Sequence, residues 1–274
     1  MGPRWPEDRT TPARTRRGRG GPVPRVLQAG GWGLLAGSAL LLGAAVGYLA
    51  RLPHRLIAAV MAFGGGVLIS ALSFELMDDA YRRGGFDSTA IGFLAGATVY
   101  SAANLSLARR GAKHRKRSDG RQPSESDQGG SGLAIAVGAL LDGIPESIVI
   151  GVTMIGGGAV SLVAVAAIFV SNVPEGLSSS AGMKQAHRPS GYIFGLWGAI
   201  AVVSGVGALL GFAVFSHFSV EVIAATTAVA AGAILAMLAD TMIPEAFEYA
   251  HNLTGLITVA GFLVAFMLSK LGGG

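Results

Sequence analysis

The strongest constraint on this chain is a succession of eight apolar runs, each near the ~20 residues that a helix needs to cross the hydrocarbon of a bilayer. The runs fall at roughly 32–50, 55–77, 87–108, 133–155, 161–183, 191–215, 221–244 and 253–270. Charged residues make up 14% of the chain, against about 25% in ordinary globular domains. Such a chain cannot cover itself with a surface that water tolerates, so its helices must be hidden in lipid. The expected architecture is an all-α polytopic membrane protein of eight transmembrane helices.

Between the apolar runs the polar residues are unevenly spread. Residues 1–31 form a Pro/Gly/Arg-rich tail without apolar periodicity, expected to be disordered. Its Arg16-Arg17 pair faintly resembles a twin-arginine signal, but the run after it is long enough to span. Residues 32–108 carry spans 1–3, and residues 109–132 form one long polar loop holding seven Lys and Arg. Residues 133–274 carry spans 4–8. Regular structure is not expected in the loop.

Orientation follows from where Lys and Arg sit. With the N-terminus outside, the cytoplasmic side holds Arg51, Arg55, the basic loop, Lys184 and Arg188, while the outer side holds Arg82, Arg83 and Lys270. The arginines of the tail point the other way. Because several separate loops agree, the 109–132 loop is placed in the cytoplasm of a plasma-membrane protein. The run Lys113 to Arg117 is read as positive-inside charge able to meet anionic lipid heads, and no nucleic-acid partner is expected.

Two internal similarities stand out. Gly66–Ala80 (GVLISALSFELMDDA) aligns with Gly232–Ala246 (GAILAMLADTMIPEA), and the DGIPES stretch starting at Asp142 aligns with the SNVPEG stretch starting at Ser171. In an eight-span chain both pairs run in opposite directions. That pattern indicates an inverted repeat, spans 1–3 and 6–8 around a 4–5 hairpin, as in secondary transporters whose sites lie near the midplane.

From Leu133 to Met183 the only ionisable side chains are Asp142, Glu146 and Glu175. A carboxylate at the centre of a membrane helix costs at least ~2.5–3.5 kcal/mol on insertion scales. No Lys, Arg or His lies in spans 4 and 5 to offset it. A bound cation is the simplest compensation; protons, or neutral acids bonding between helices, are the alternatives. Asp142 and Glu146 are one turn apart on one face, as are Ser171 and Glu175. A hairpin through Gly156-Gly157-Gly158 sets Asp142 level with Glu175. Pro145 and Pro174 each precede a glutamate and free a backbone carbonyl one turn earlier. Asp142, Glu146, Ser171, Asn172 and Glu175 are therefore the expected metal ligands, all oxygen donors. Glu75, Asp240 and Glu245, in spans 2 and 7 or just beyond, are candidate stations along a cation pathway. Asn104 and Ser204 are read as helix-packing hydrogen-bond groups.

These motifs resemble those of the ZIP (Zrt/Irt-like) divalent-metal transporters, as do the eight spans, the polar loop after span 3 and the Gly-rich second span at Gly64-Gly65-Gly66. The family's span-4 pattern is His-Asn-x-Pro-Glu-Gly; here it reads Asp142-Gly143-Ile144-Pro145-Glu146-Ser147. In span 5 a polar pair followed by x-Pro-Glu-Gly corresponds to Ser171-Asn172-Val173-Pro174-Glu175-Gly176. Asp142 stands in place of the usual histidine, which shifts the donor set toward harder ions such as Mn²⁺, with Fe²⁺ and Zn²⁺ still accepted. The resemblance implies inward movement of Zn²⁺, Mn²⁺ or Fe²⁺ as substrate by alternating access, in a homodimer.

No enzyme motif such as HExxH, a P-loop or GxSxG is present, and no resident cofactor is expected. The absence of cysteine excludes thiolate chemistry. Two other functions fit the same residues: proton-linked transport of another solute, and a non-transporting membrane protein that senses metal.

Overall fold

A computed structural model describes residues 24–117, 120–124, 126–155 and 160–272. The arginine-rich stretch before Pro24 and the Gly156-Gly157-Gly158 linker lie outside the described residues. Among the described residues all regular structure is helical. The long elements are α1 (Arg25–Leu49), α2 (His54–Ala71), α3 (Asp78–Leu107), α4 (Ser131–Val152), α5 (Leu162–Gln185), α6 (Ser190–Phe215), α7 (Val220–Met237), α8 (Ile243–Ala250) and α9 (Thr254–Gly272). Six continuous helical stretches are long and apolar enough to cross a membrane.

Local sequence explains where the helices begin. Pro24, Pro53 and Pro189 stand immediately before α1, α2 and α6. Proline has a preset φ and no N–H to leave unpaired, so it opens a helix at little cost. The first helix accordingly starts at Arg25 rather than at residue 32, and Ala29 in its first turns is fully buried.

Two of the six stretches are much longer than one crossing requires. His54–Ala112 runs for 59 residues and Val220–Leu271 for 52. Each carries a π-helical turn, Leu72–Met77 in the first and Leu238–Met242 in the second. Each also breaks helical geometry, at Gly85 with φ 72° and at His251 with φ 45°, and the first breaks again at Gly111 with φ 100°, inside a further π-helical turn at Ala108–Ala112. Leu72 and Leu238 occupy the same place in the two aligned stretches of sequence, and Gly85 and His251 lie the same distance beyond them. The segment 78–86, expected from its charges to be a loop, is instead helical up to and after Gly85. Ion pairs one turn apart, Asp78 with Arg82 and Asp79 with Arg83, support that helix.

The helices pack as one cluster and two pairs. Helix α1 packs on α5 and α6, and α4 packs on α6; α3 packs on α7, and α2 on α9. Contacts of α2 with α5 and of α4 with α7 join them. Helices α4 and α5, expected as a close hairpin, touch each other only sparsely. Small residues set the tight crossings. Gly66 lies against the Thr258 carbonyl of α9, and Gly232 against the Phe93 carbonyl of α3, each so close that a Cβ would collide with backbone.

The ends of the helices also find partners. At one end His54 stacks on Tyr249 with ring centroids 5.1 Å apart, Arg117 pairs with Glu245 and Glu248, and Arg188 donates to the Pro123 carbonyl. Elsewhere Glu75 accepts hydrogen bonds from Ser161 at 3.1 Å and from Ser269 at 2.6 Å.

Replacing Gly232 with valine places branched carbon where only backbone fits, so stability should fall by ~1–3 kcal/mol, the usual cost of overpacking. Thermal unfolding of the purified variant measures this; a melting temperature equal to wild type would contradict the close α3–α7 approach.

Candidate functional site

Asp142 and Glu146 lie on α4 and Glu175 on α5, all buried, at 2%, 3% and 5% exposure. The structure brings Asp142 and Glu175 together, and it shows what lies between them. The Nζ of Lys116 sits 3.0 Å from a carboxylate oxygen of Glu175 and 3.3 Å from one of Asp142. Arg115 grips the same aspartate with two donors, Nε to Oδ2 at 3.0 Å and Nη2 to Oδ1 at 2.9 Å. This is the two-pronged arrangement in which a guanidinium binds a carboxylate most strongly.

Both cations come from the polar loop. The expectation that no cationic side chain compensates the carboxylates is therefore corrected: Arg115 and Lys116 fold back into the helix bundle and are each only 3% exposed. Counting charges span by span misses this, because a loop tethered to α3 and α4 can reach the space between helices. For the same reason Arg115 and Lys116 are not displayed to lipid heads in this state.

Helix α3 completes the setting. Tyr100 donates its hydroxyl hydrogen to Oδ1 of Asp142 at 2.6 Å, and Nη2 of Arg115 donates to the Tyr100 oxygen at 3.0 Å. Asn104, one turn further on, accepts from Nη1 of Arg115 at 2.8 Å. Read from sequence as a helix-packing group, Asn104 is instead a partner of the loop arginine.

The loop is held by neutral groups as well. Nε2 of Gln122 lies within hydrogen-bond distance of the carbonyls of Arg115, Arg117 and Ser179, at 2.9, 2.9 and 3.0 Å. The Ser178 hydroxyl reaches both the Lys116 carbonyl and the Glu245 carboxylate. Two glycines make room: a Cβ on Gly138 would strike the Arg115 side chain, and one on Gly182 would strike the Arg117 carbonyl.

Burial opposes the charge on both loop cations. For Lys116 the attraction of Asp142 and Glu175 outweighs it, and for Arg115 that of Asp142, so both are held above their ordinary values. A raised value means the ammonium contributes fully below the ordinary lysine range and is lost only as pH rises through the raised one. Both cations thus keep their charge throughout the neutral range.

The remaining expected ligands are placed as follows. Glu146 is one turn from Asp142, and its Oε1 has no hydrogen-bond partner among the described residues. Ser171 donates to the Ile168 carbonyl at 3.0 Å and Asn172 to the Ala36 carbonyl at 3.1 Å, so both side chains are engaged with backbone. Glu245, 4% exposed, sits beside the loop through Ser178 and Arg117. Glu75 is bound to Ser161 and Ser269, and Asp240, exposed, accepts from Ser101 at 3.1 Å. Among the described residues no three His, Asp or Glu side chains are positioned to hold one metal ion together. The chain matches no family model and no curated protein sequence.

The sequence reading missed Tyr100, Arg115, Lys116, Gln122 and Ser178. Its one available signal was the loop itself, where a glutamine and two adjacent cations accompany three carboxylates left without counter-charge.

Changing Asp142 to asparagine leaves a buried guanidinium without its counter-charge. Breaking a buried pair from one side typically costs ~3–5 kcal/mol. The variant should melt well below wild type, and adding Arg115→Gln should recover part of the loss. A wild-type melting temperature for Asp142→Asn would show that the pair is not formed.

Proposed function

We propose that this protein carries divalent cations across a membrane through the Asp142–Glu175 site, in the manner its sequence motifs suggest for a ZIP-type transporter. One observation carries the reading: a single ammonium already bridges carboxylates from two helices at 3.0 and 3.3 Å. The buried space between α4 and α5 is thus built to hold positive charge. Oxygen donors dominate it, which suits Mn²⁺ and also admits Fe²⁺ and Zn²⁺. Glu146, with an oxygen free of hydrogen bonds, is the third carboxylate available to an arriving ion.

Several features support eight crossings and the inverted repeat. The stretch from His54 to Ala112 begins beside Tyr249 and leads directly into Arg117, which pairs with Glu248; both of its ends lie at one end of the molecule. A segment that returns to its starting side has crossed twice. The π-helical turns, the breaks at Gly85 and His251, and the crossings at Gly66 and Gly232 recur at matching places in the two halves. The packing pairs recur too, α2–α9 with α3–α7 and α1–α5 with α4–α6. Inward movement, a plasma-membrane location, an outside N-terminus and a homodimer belong to this proposal as well.

A second reading takes the ion pairs as permanent and the protein as a non-transporting metal sensor; the seating of Arg115 and Lys116 on the carboxylates favours it. Flux separates the two. Purified protein in liposomes should take up Mn²⁺, and Glu146→Ala with Glu175→Ala should reduce uptake to the level of protein-free liposomes. Wild-type uptake by the double variant would overturn the site assignment, and absence of flux in wild type would favour the sensor.

A further inference from the structure

We propose that loop residues 113–117, with Gln122, are a built-in competitor for the cargo: seating of Arg115 and Lys116 on Asp142 and Glu175 excludes a divalent cation, and arrival of the cation expels them. The inference rests on the reading of Asp142 and Glu175 as the cation site. It adds a regulatory part that no motif in the helices announces.

Charge is the first argument. Arg115 and Lys116 bring two positive charges, the same total as one divalent ion, onto carboxylates that a cation would have to take. Loop and cargo cannot both be bound, because they need the same oxygens and together would leave an excess of positive charge in a medium of low dielectric. Without either, the carboxylates would be buried and uncompensated, which costs several kcal/mol. The site therefore exchanges one counter-charge for the other and is not left bare.

Shape is the second argument. The loop is received in a seat made for it. Gly138 clears the path of the Arg115 side chain, and Gly182 admits the loop backbone at Arg117. Gln122 and Ser178 bind loop carbonyls without using any charge. These contacts have no role in holding a metal. They position the two cations, and they lie at the end of the molecule where Arg117 meets Glu245 and Glu248. By the charge-based orientation that is the cytoplasmic end, so the segment withdraws toward the cytoplasm.

Lysine labelling tests the proposal on the full chain. Lys113, Lys184 and Lys270 are exposed and serve as internal references, whereas Lys116 is buried. In detergent-purified protein without divalent cations, an amine-reactive ester read by mass spectrometry should spare Lys116. Saturating Mn²⁺ should raise its labelling at least about tenfold relative to the reference lysines, since the seated fraction falls as the ion binds. Gly182→Ala changes no charge but pushes the loop out. It should expose Lys116 without Mn²⁺ and tighten apparent Mn²⁺ binding about tenfold, by removing the competitor. If Mn²⁺ binds by equilibrium dialysis while Lys116 stays protected, the competition is refuted and the cation site stands. If neither protein binds Mn²⁺ or Zn²⁺, the cation site itself fails and the competitor with it. Should Gly182→Ala not fold, the labelling of wild type alone decides.

Discussion

Everything at the centre of this protein depends on how three carboxylates are tolerated among apolar helices. Among apolar helices the dielectric is low, so an isolated negative charge would drive the helices apart or take up a proton. The chain meets the difficulty with its own cations, Arg115 and Lys116, delivered on a loop. Arg115 suits this task because its planar fork matches the carboxylate of Asp142 at two points. Lys116 does something different. Its compact ammonium sits between two helices and bridges Asp142 and Glu175.

That arrangement links the polar loop to the helices around it. Helix α3 contributes Tyr100 and Asn104, which orient the guanidinium, while α5 contributes Ser178, which donates to the Lys116 carbonyl, and the Ser179 carbonyl, which accepts from the Gln122 side chain. Helix α8 contributes Glu245 through Ser178 and Arg117. Seating of the loop thus ties α3 and α8 to α4 and α5. A cation that displaced Arg115 and Lys116 would release those ties together. In this account, site occupancy and the freedom of these helices to move are coupled by a short stretch of chain.

Much of this was legible in the sequence, for clear physical reasons. Apolar runs near bilayer length and few charges require lipid-buried helices, and the six long helical stretches follow from them. Buried carboxylates are costly enough to mark a site by themselves, so Asp142, Glu146 and Glu175 stood out without any structure. The similarity of Gly66–Ala80 to Gly232–Ala246 foreshadowed two matching π-helical turns. The counter-charge was not legible. Periodicity locates helices because helices repeat, but a loop has no repeat, and nothing in the order of residues says that Arg115 and Lys116 turn inward while Lys113 turns out. What the glycines at 138 and 182 admit shows only in their nearness to the loop. Asp240, read as a pathway station from its depth in the span, has an exposed side chain that accepts a hydrogen bond from Ser101.

The most direct test of the central claim is an anomalous-scattering map of the protein crystallised with Mn²⁺. The account predicts a peak between Asp142 and Glu175, within ligand distance of both and of Glu146, with the Arg115 and Lys116 side chains withdrawn from those carboxylates. A map with Arg115 and Lys116 still seated on Asp142 and Glu175, and manganese absent or bound elsewhere, would contradict it.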